Sequence, residues 1–186
     1  MTMRIISGHL KGRRLKAAPP EGIRPTSDKL KETVFNILGA SVAGSTFLDG
    51  CAGAGGIGIE ALSRGASLVV FAEHSKRACR VIRENLQSLR IAEGYKILEM
   101  DLRKAIGVCA GEGLRFDIAF IDPPWDREDI YESAFQAMSE LAILAPGGLL
   151  IMEHSKRREM PESRGSLRRV RSLVQGDGAL AFYRLE

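Results

Sequence analysis

The chain is poor in the residues that staple small folds. Three cysteines in 186 residues, Cys51, Cys79 and Cys109, are odd in number and far apart. Such usage excludes a disulfide framework and the paired spacings of zinc or thiol-exchange motifs, and it predicts buried free thiols. The three histidines, His9, His74 and His154, are equally scattered, so no metal site is expected. No apolar run approaches the roughly 20 residues of a membrane span, which argues against a membrane partner. The opening Met1-Thr2-Met3-Arg4-Ile5-Ile6-Ser7-Gly8 lacks the apolar stretch of about 7 to 15 residues that marks a signal peptide, so a cytoplasmic location is expected. Aromatic residues make up only 6% of the chain and there is a single tryptophan, Trp125.

What is present suffices for one ordinary domain. A hydrophobic share of 45% over this length supports a sizeable core without staples, and leaves no room for a second large domain. A net charge of +4 conceals a division. Residues 1–31 hold eight Lys/Arg against two Asp/Glu and residues 156–171 hold seven against two, so the remainder is acidic. Two basic segments on an acidic body suggest a surface for phosphate, although a solvated face is the commoner use of such runs.

The front of the chain reads as an appendage. Arg4-Ile5-Ile6-Ser7 and Arg13-Arg14-Leu15-Lys16 predict two short strands around a glycine-bounded loop, a basic hairpin. A linker follows over 17–25, and Thr26 or Ser27 caps a helix whose apolar face is Leu30, Val34, Ile37 and Leu38, with Gly39 as its stop. From Ser45 short apolar runs alternate with helical stretches, the signature of βαβ units and a parallel sheet. The runs are Thr46 to Leu48, Leu68 to Ala72, Lys96 to Leu98, Phe116 to Ile121 and Leu149 to Met152; helices are predicted over 56–64, 75–89, 102–109 and 129–144. Val170 to Val174 and Ala179 to Arg184, split by Gln175-Gly176-Asp177-Gly178, form a closing hairpin and an antiparallel edge. The domain division expected is 1–26 for the basic hairpin and linker and 27–186 for the catalytic body.

Two strand ends carry the chemistry. Asp49-Gly50-Cys51-Ala52-Gly53-Ala54-Gly55-Gly56-Ile57-Gly58 follows the first core strand and leads into a helix. Glycines there admit a ligand to the backbone, and Gly53, Gly55 and Gly58 also fit a dinucleotide pattern. Asp49 would repel a pyrophosphate but supports the ammonium end of S-adenosylmethionine. Glu73, ending the second strand, suits both ribose hydroxyls of either cofactor. Asp101 suits the adenine amine or, equally, a helix cap before Leu102. Asp122-Pro123-Pro124-Trp125 ends the fourth strand and should face the same crevice. Two prolines remove N–H donors and leave carbonyls in a stiff arrangement, which suits an amine. An aryl amine attacks better when acceptors such as Asp122 and the Pro123 carbonyl hold its hydrogens, with Trp125 stacked on the extruded base.

In these blocks the chain resembles the bacterial 16S ribosomal RNA guanine-N2 methyltransferases of the RsmD type. The resemblance runs through Arg4 to Gly8 with Gly12 to Leu15, Arg24-Pro25-Thr26 with Phe35 to Leu38, the glycine loop into Glu60 to Ala66, Asp122-Pro123-Pro124, and Glu153-His154. It implies a Rossmann-like class I methyltransferase fold, α/β, with a seven-stranded mostly parallel sheet and the basic hairpin as an N-terminal extension. It also implies S-adenosylmethionine as cofactor, S-adenosylhomocysteine as product, and as substrate a guanine N2 amine in 16S rRNA of an assembling small ribosomal subunit. On this reading Asp122, Pro123, Pro124 and Trp125 are catalytic, and Asp49, Gly50, Ala52, Gly53, Gly55, Glu73 and Asp101 hold the cofactor. Arg4, Lys11, Arg13, Arg14, Arg24 and Thr26 contact RNA, and the enzyme is expected to act as a monomer. Trp125 stands where this family usually has tyrosine, and Asp49-Gly50-Cys51-Ala52 replaces a more usual Asp-Leu-Phe-Ala. Three other readings compete: an adenine-N6 methyltransferase acting on DNA or RNA, a nicotinamide-dependent oxidoreductase, and a noncatalytic RNA-binding assembly factor.

Overall fold

The computed structural model describes residues 3–17 and 28–186. The expected linker after residue 17, the helix cap at Thr26 or Ser27, and the RNA contacts Arg24 and Thr26 lie outside the described residues. In chain order the elements are β1 (Met3–Arg4), β2 (Arg14–Leu15), α1 (Asp28–Leu38), a 3-10 turn (Gly39–Val42), β3 (Thr46–Gly50), α2 (Gly56–Ser63), β4 (Leu68–Glu73), α3 (Lys76–Ser88), β5 (Tyr95–Glu99), α4 (Leu102–Gly111), β6 (Phe116–Ile121), α5 (Glu128–Glu140), β7 (Leu144–Ser155), β8 (Ser163–Arg164), β9 (Leu167–Gln175) and β10 (Gly178–Leu185).

Strands β3 to β10 form one sheet in the order β5-β4-β3-β6-β7-β10-β9-β8. The pairs from β5 through β7 are parallel, and β10, β9 and β8 close the edge antiparallel. The seven strands expected are present, with the two-residue β8 as an eighth. The chain winds outward from β3 to β5, returns across β3 to β6, and winds out the other way, so the order reverses between β3 and β6. Ligands in open α/β sheets bind beyond the carboxyl ends of the strands at such a reversal.

Alternation along the central strands feeds two cores, because successive side chains point to opposite faces. Leu48, Val70, Ala119 and Ile121 face α4 and α5, while Phe47, Val69, Phe71, Ile118 and Phe120 face α1, α2 and the N-terminal hairpin. Gly58 permits the second layer to close, since a Cβ there would lie 2.3 Å from Phe71 Cε1 and 2.8 Å from Val69 Cγ1. On α1 the buried face is Leu30, Lys31, Val34, Phe35 and Leu38 rather than the four residues predicted. Phe35 stacks on Phe47, and Arg64 lies over Phe35.

Three expectations need correction. The hairpin strands are two residues long, not four, because Ile6 and Ser7 give their N–H groups to the Glu60 carboxylate instead of to a ladder. Nor does the hairpin stand apart, since Ile5 and Leu15 are buried in the core shared with Val34, Phe47 and Ile59. Gly8 meets the end of α2 so closely that a Cβ would fall 1.9 Å from the Ser63 carbonyl oxygen. The third correction concerns α5, which stops at Glu140: Ala142 turns left-handed at φ 44° and Ile143 accepts from Phe116 N–H, so residues 143 and 144 already lead into β7.

Glu60 is fully buried and bridges the hairpin to α1 and α2. It accepts from Ile6 and Ser7 N–H and from Arg64 Nε, with buried Lys31 Nζ at 3.6 Å. Removing one partner of a buried ion pair costs about 3 to 5 kcal/mol because the other charge stays buried. Glu60→Ala is therefore expected to lose about that much stability in urea unfolding and to raise proteolysis near Ile6, whereas Glu84→Ala, at an exposed pair with Lys16, should change stability by less than about 1 kcal/mol. Equal losses in the two variants would refute the bridging role.

Candidate active site

The reversal of strand order sets two loops side by side. The last hydrogen bond between β3 and β6 runs from Asp122 N–H to the Gly50 carbonyl at 3.1 Å, so the Asp-Pro-Pro-Trp segment leaves the sheet next to the glycine loop. The three pattern glycines do separate jobs. Gly53 turns left-handed at φ 55° with nothing within 4 Å of a Cβ position, so its outer side is open; Gly55, at φ 78°, is the N-cap of α2; Gly58 is the packing glycine described above. Cys51 also adopts a left-handed φ of 60° without being glycine. The three cysteines are free, with Cys79 and Cys109 buried and Cys51 half-buried.

Acids hold this loop from below. Asp49 Oδ2 accepts from Gly58 N–H at 2.8 Å, fastening the first turn of α2 to the end of β3. Glu73 Oε2 accepts from Gly53 N–H and Oε1 from Ser75 N–H, both at 2.8 Å, so one side chain shapes the glycine loop and the start of α3 together. A carboxylate has about four acceptor positions, which leaves room at Glu73 for further donors. Burial pushes the Asp49 carboxyl well above the usual aspartate range; the Gly58 N–H opposes that shift, and the charges of Asp122 and Glu73 add to it. The Cys51 thiol is pushed up by burial and then by Asp122, Glu73 and Asp49. A crevice walled by three acids and open at Gly53 suits a ligand carrying positive charge and repels a pyrophosphate. Asp101 instead caps α4, with Oδ1 accepting from Lys104 N–H and Oδ2 paired with Lys104 Nζ.

The other wall comes from β7, α5 and the β9–β10 turn. Pro123 is buried, Pro124 exposed and Trp125 half-buried. Arg158 reaches back to donate to the Trp125 carbonyl at 3.1 Å, pairs with Glu128, and lies 4.0 Å from the Tyr131 ring centre. Tyr131 Oη in turn donates to the Glu153 carbonyl at 3.0 Å. The prediction that residues 156–171 present a basic surface is thus corrected at Arg158, whose side chain is 16% exposed and turned inward. His154 is buried, its Nδ1–H donating to the Ser155 carbonyl at 2.9 Å, and its pKa is lowered first by burial.

Sequence reasoning missed Tyr131, Arg158, Gly178 and Asn85. Asn85, buried on the apolar side of α3, donates to the Ala54 and Lys16 carbonyls and accepts from Lys16 N–H, tying glycine loop to hairpin. An amide between Ile82 and Leu86 was the available signal. Among the predicted RNA contacts, Arg4 pairs with Asp28 and Arg13 donates to the Ser88 carbonyl, while Lys11 and Arg14 are exposed. A depression of about 360 Å³ between Ser45, Asp117, Gly147 and Arg184 lies at the opposite, amino ends of the strands and shares no residue with the crevice.

A family model described as conserved hypothetical protein 95 matches residues 3–184. The ribosomal RNA small subunit methyltransferase D of Haemophilus influenzae is 37% identical over 158 residues, covering 83% of this chain and 79% of that protein. The solved structure of the Escherichia coli methyltransferase yhhF superposes with a TM-score of 0.84 at 28% identity, over 100% of this chain and 99% of that one. A Thermus thermophilus 16S rRNA N2 G1207 methyltransferase, solved with AdoMet and guanosine, shares the fold at a TM-score of 0.75 and 22% identity, over 100% of this chain and 50% of that one. These neighbours identify the sheet as that of S-adenosylmethionine-dependent methyltransferases.

The raised pKa of Asp49 has a consequence for stability. Between the ordinary aspartate value and its own, the folded protein holds a proton that the unfolded chain releases, so this group's contribution to stability falls as pH rises through that window. Asp49→Asn keeps an oxygen for Gly58 N–H and removes the charge. It is expected to match the parent in urea unfolding at pH 4 and to exceed it at pH 7; a variant less stable than the parent at both values would show that the carboxylate itself holds the loop.

Proposed function

The chain belongs to the conserved hypothetical protein 95 family, and on that premise we propose that it transfers a methyl group from S-adenosylmethionine to the N2 amine of a guanine in 16S rRNA. The observation that carries this reading is the Asp122 N–H to Gly50 carbonyl bond, which joins the amine motif to the glycine loop. The reading extends to a cytoplasmic, monomeric enzyme that meets its RNA in an assembling small subunit, with residues 1–26 as the RNA-contacting extension of a catalytic body over 27–186.

The residues fit the cofactor. Bound there, S-adenosylmethionine supplies a methyl on a positively charged sulfur. The open side of Gly53, with Gly50, Ala52 and Gly55, lets its backbone approach, and Glu73 offers its remaining acceptor positions to ribose hydroxyls. Asp49 acts through the loop it anchors by accepting from Gly58 N–H. Asp101, capped onto Lys104, keeps only part of its capacity for the adenine amine.

The chemical step is assigned to the stiff tetrapeptide. Asp122 and the Pro123 carbonyl accept the two hydrogens of the guanine amine, which localises the nitrogen lone pair, and the Asp122 carboxylate takes the proton the amine sheds. Pro124 fixes the turn, and Trp125 stacks on the flipped base. Alignment and charge carry the catalysis. Arg4, Lys11, Arg13, Arg14, Arg24 and Thr26 hold the RNA backbone.

Small subunits from cells lacking the gene, incubated with protein and labelled S-adenosylmethionine and then digested for mass spectrometry, should yield N2-methylguanosine. Appearance of N6-methyladenosine, or no transfer, would overturn the proposal. Asp122→Ala should lower single-turnover rate with cofactor affinity unchanged. Trp125→Ala should weaken RNA capture by about 1 to 3 kcal/mol, with Trp125→Tyr close to the parent. Parent-like rates in Asp122→Ala would remove the amine site from this motif.

The hairpin charges give an independent check. Lys11→Ala with Arg14→Ala should reduce RNA affinity and lower the salt slope of binding by about 2, leaving cofactor affinity intact. An unchanged slope would make the hairpin a packing element only.

A further inference from the structure

The carboxyl end of β7 brings a second acid to the amine motif. Glu153 is 6% exposed, and its carbonyl is held by Tyr131 Oη at 3.0 Å. The Tyr131 phenol is held un-ionised first by burial, then by the charge of Asp122, with Arg158 opposing and Glu153 adding to it. Across the β7–β10 ladder Glu153 pairs with Leu180, and Gly178, which opens β10 after the turn from Gln175, pairs with Ser155 two positions along. A Cβ on Gly178 would stand 3.7 Å from Trp125 Cζ2, 3.8 Å from Glu153 Oε1 and 3.8 Å from the Gln175 carbonyl. The missing methyl leaves a notch between the edge of the indole, a carboxylate and a main-chain carbonyl. Gln175 Oε1, at the same strand end, is buried with no hydrogen-bond partner among the described residues.

The oxygen atoms around this notch, Glu153 Oε1, the Gln175 carbonyl and Gln175 Oε1, are acceptors. A base whose exposed edge offers adjacent donors fits beside them, and one that offers a ring acceptor is repelled. Guanine carries N1–H next to its N2 amine, whereas adenine and 2-aminopurine have a bare N1. Flipped bases are read through hydrogen bonds to this edge.

We infer that Glu153 is the residue that selects guanine: it accepts the N1–H while Asp122 and the Pro123 carbonyl hold the neighbouring amine, and Gly178 leaves the room that edge requires. This rests on the methyltransferase reading. It does not require an unpartnered Glu153, because a carboxylate has about four acceptor positions.

Guanosine and 2-aminopurine riboside, which share the N2 amine and differ at N1–H and O6, test the assignment as competitors of methyl transfer to undermethylated small subunits. The parent should be inhibited by guanosine at roughly ten- to hundredfold lower concentration, the discrimination expected of a good bidentate base contact. Glu153→Gln supplies an N–H where the carboxylate supplied an acceptor, so the ratio should collapse toward one or invert, with S-adenosylhomocysteine affinity by calorimetry unchanged. Gly178→Ala meets only ordinary contacts and should melt like the parent. Its guanosine inhibition should nonetheless weaken at least tenfold. Equal inhibition of the parent by the two nucleosides, a parent-like ratio in folded Glu153→Gln, or parent-like guanosine inhibition in Gly178→Ala would each overturn the role of Glu153. A parent that methylates only adenine, or transfers no methyl, would instead overturn the activity on which the assignment rests.

Discussion

Everything at this site depends on β3 and β6 lying against each other with no strand between them. Their ladder ends in the bond from Asp122 N–H to the Gly50 carbonyl, and Gly50 itself is a condition of that approach. A Cβ there would come within 3.0 Å of both Ile121 Cγ1 and Leu102 Cδ1 and 3.4 Å of the Phe120 carbonyl. The glycine thus brings the start of one loop against the start of the other. Neither loop encodes this on its own; the reversal of strand order does.

A second constraint is electrostatic. Asp49, Glu73 and Asp122 converge at neighbouring strand ends, where the charges of all three add to the burial that raises the Cys51 thiol pKa; His74 approaches Glu73 at 3.2 Å. Main-chain N–H groups of Gly53, Ser75 and Gly58 share the task of satisfying Glu73 and Asp49. Peptide dipoles orient these acids, and the negative field of the crevice, to which Asp122 and Glu73 contribute, adds to the burial that raises the Asp49 carboxyl pKa. That field is stronger in a partly desolvated cleft than in water. It distinguishes the cleft from a pyrophosphate site built on the same glycine spacing, which is why the spacing alone left the cofactor open.

The elements of the sheet, the glycine loop and the Asp-Pro-Pro-Trp turn were legible because their signals are local: periodicity, a glycine cluster, two prolines after an apolar run. The Asp101 cap was legible for the same reason, as one of two uses open to it. What was not legible depends on contacts far apart in sequence. Arg158 sits in a basic run and reads as a surface charge, yet it is drawn over Tyr131, 27 positions earlier, and onto the Trp125 carbonyl. Lys31 was counted among the basic residues of the front segment, whereas it is buried between the Arg4 carbonyl and Glu60. Gly178 looked like half of a hairpin turn, and only the sheet order brings it beside Trp125 and Glu153. The end of α5 was misjudged because Leu141 to Leu144 continue an apolar pattern, while the left-handed Ala142 breaks the helix.

The short hairpin gains its meaning from the same long-range bonds. A two-residue ladder is too small to hold its own geometry in water, so its shape is imposed by the body it rests on. Glu60 and Ser63 on α2 supply acceptors and donors to residues 6 to 10, and Asn85 on α3 clasps Lys16 on both sides of its peptide. The same Asn85 amide also donates to the Ala54 carbonyl in the glycine loop. One side chain therefore joins the basic hairpin to the loop that the cofactor would meet. A displacement of either changes the hydrogen bonds of the other through a single buried amide, and because unsatisfied buried amides are costly the two are expected to keep a fixed separation. The basic hairpin and the crevice beside the glycine loop are in this way tied together through Asn85, although residues 18–27 lie outside the described part of the structure.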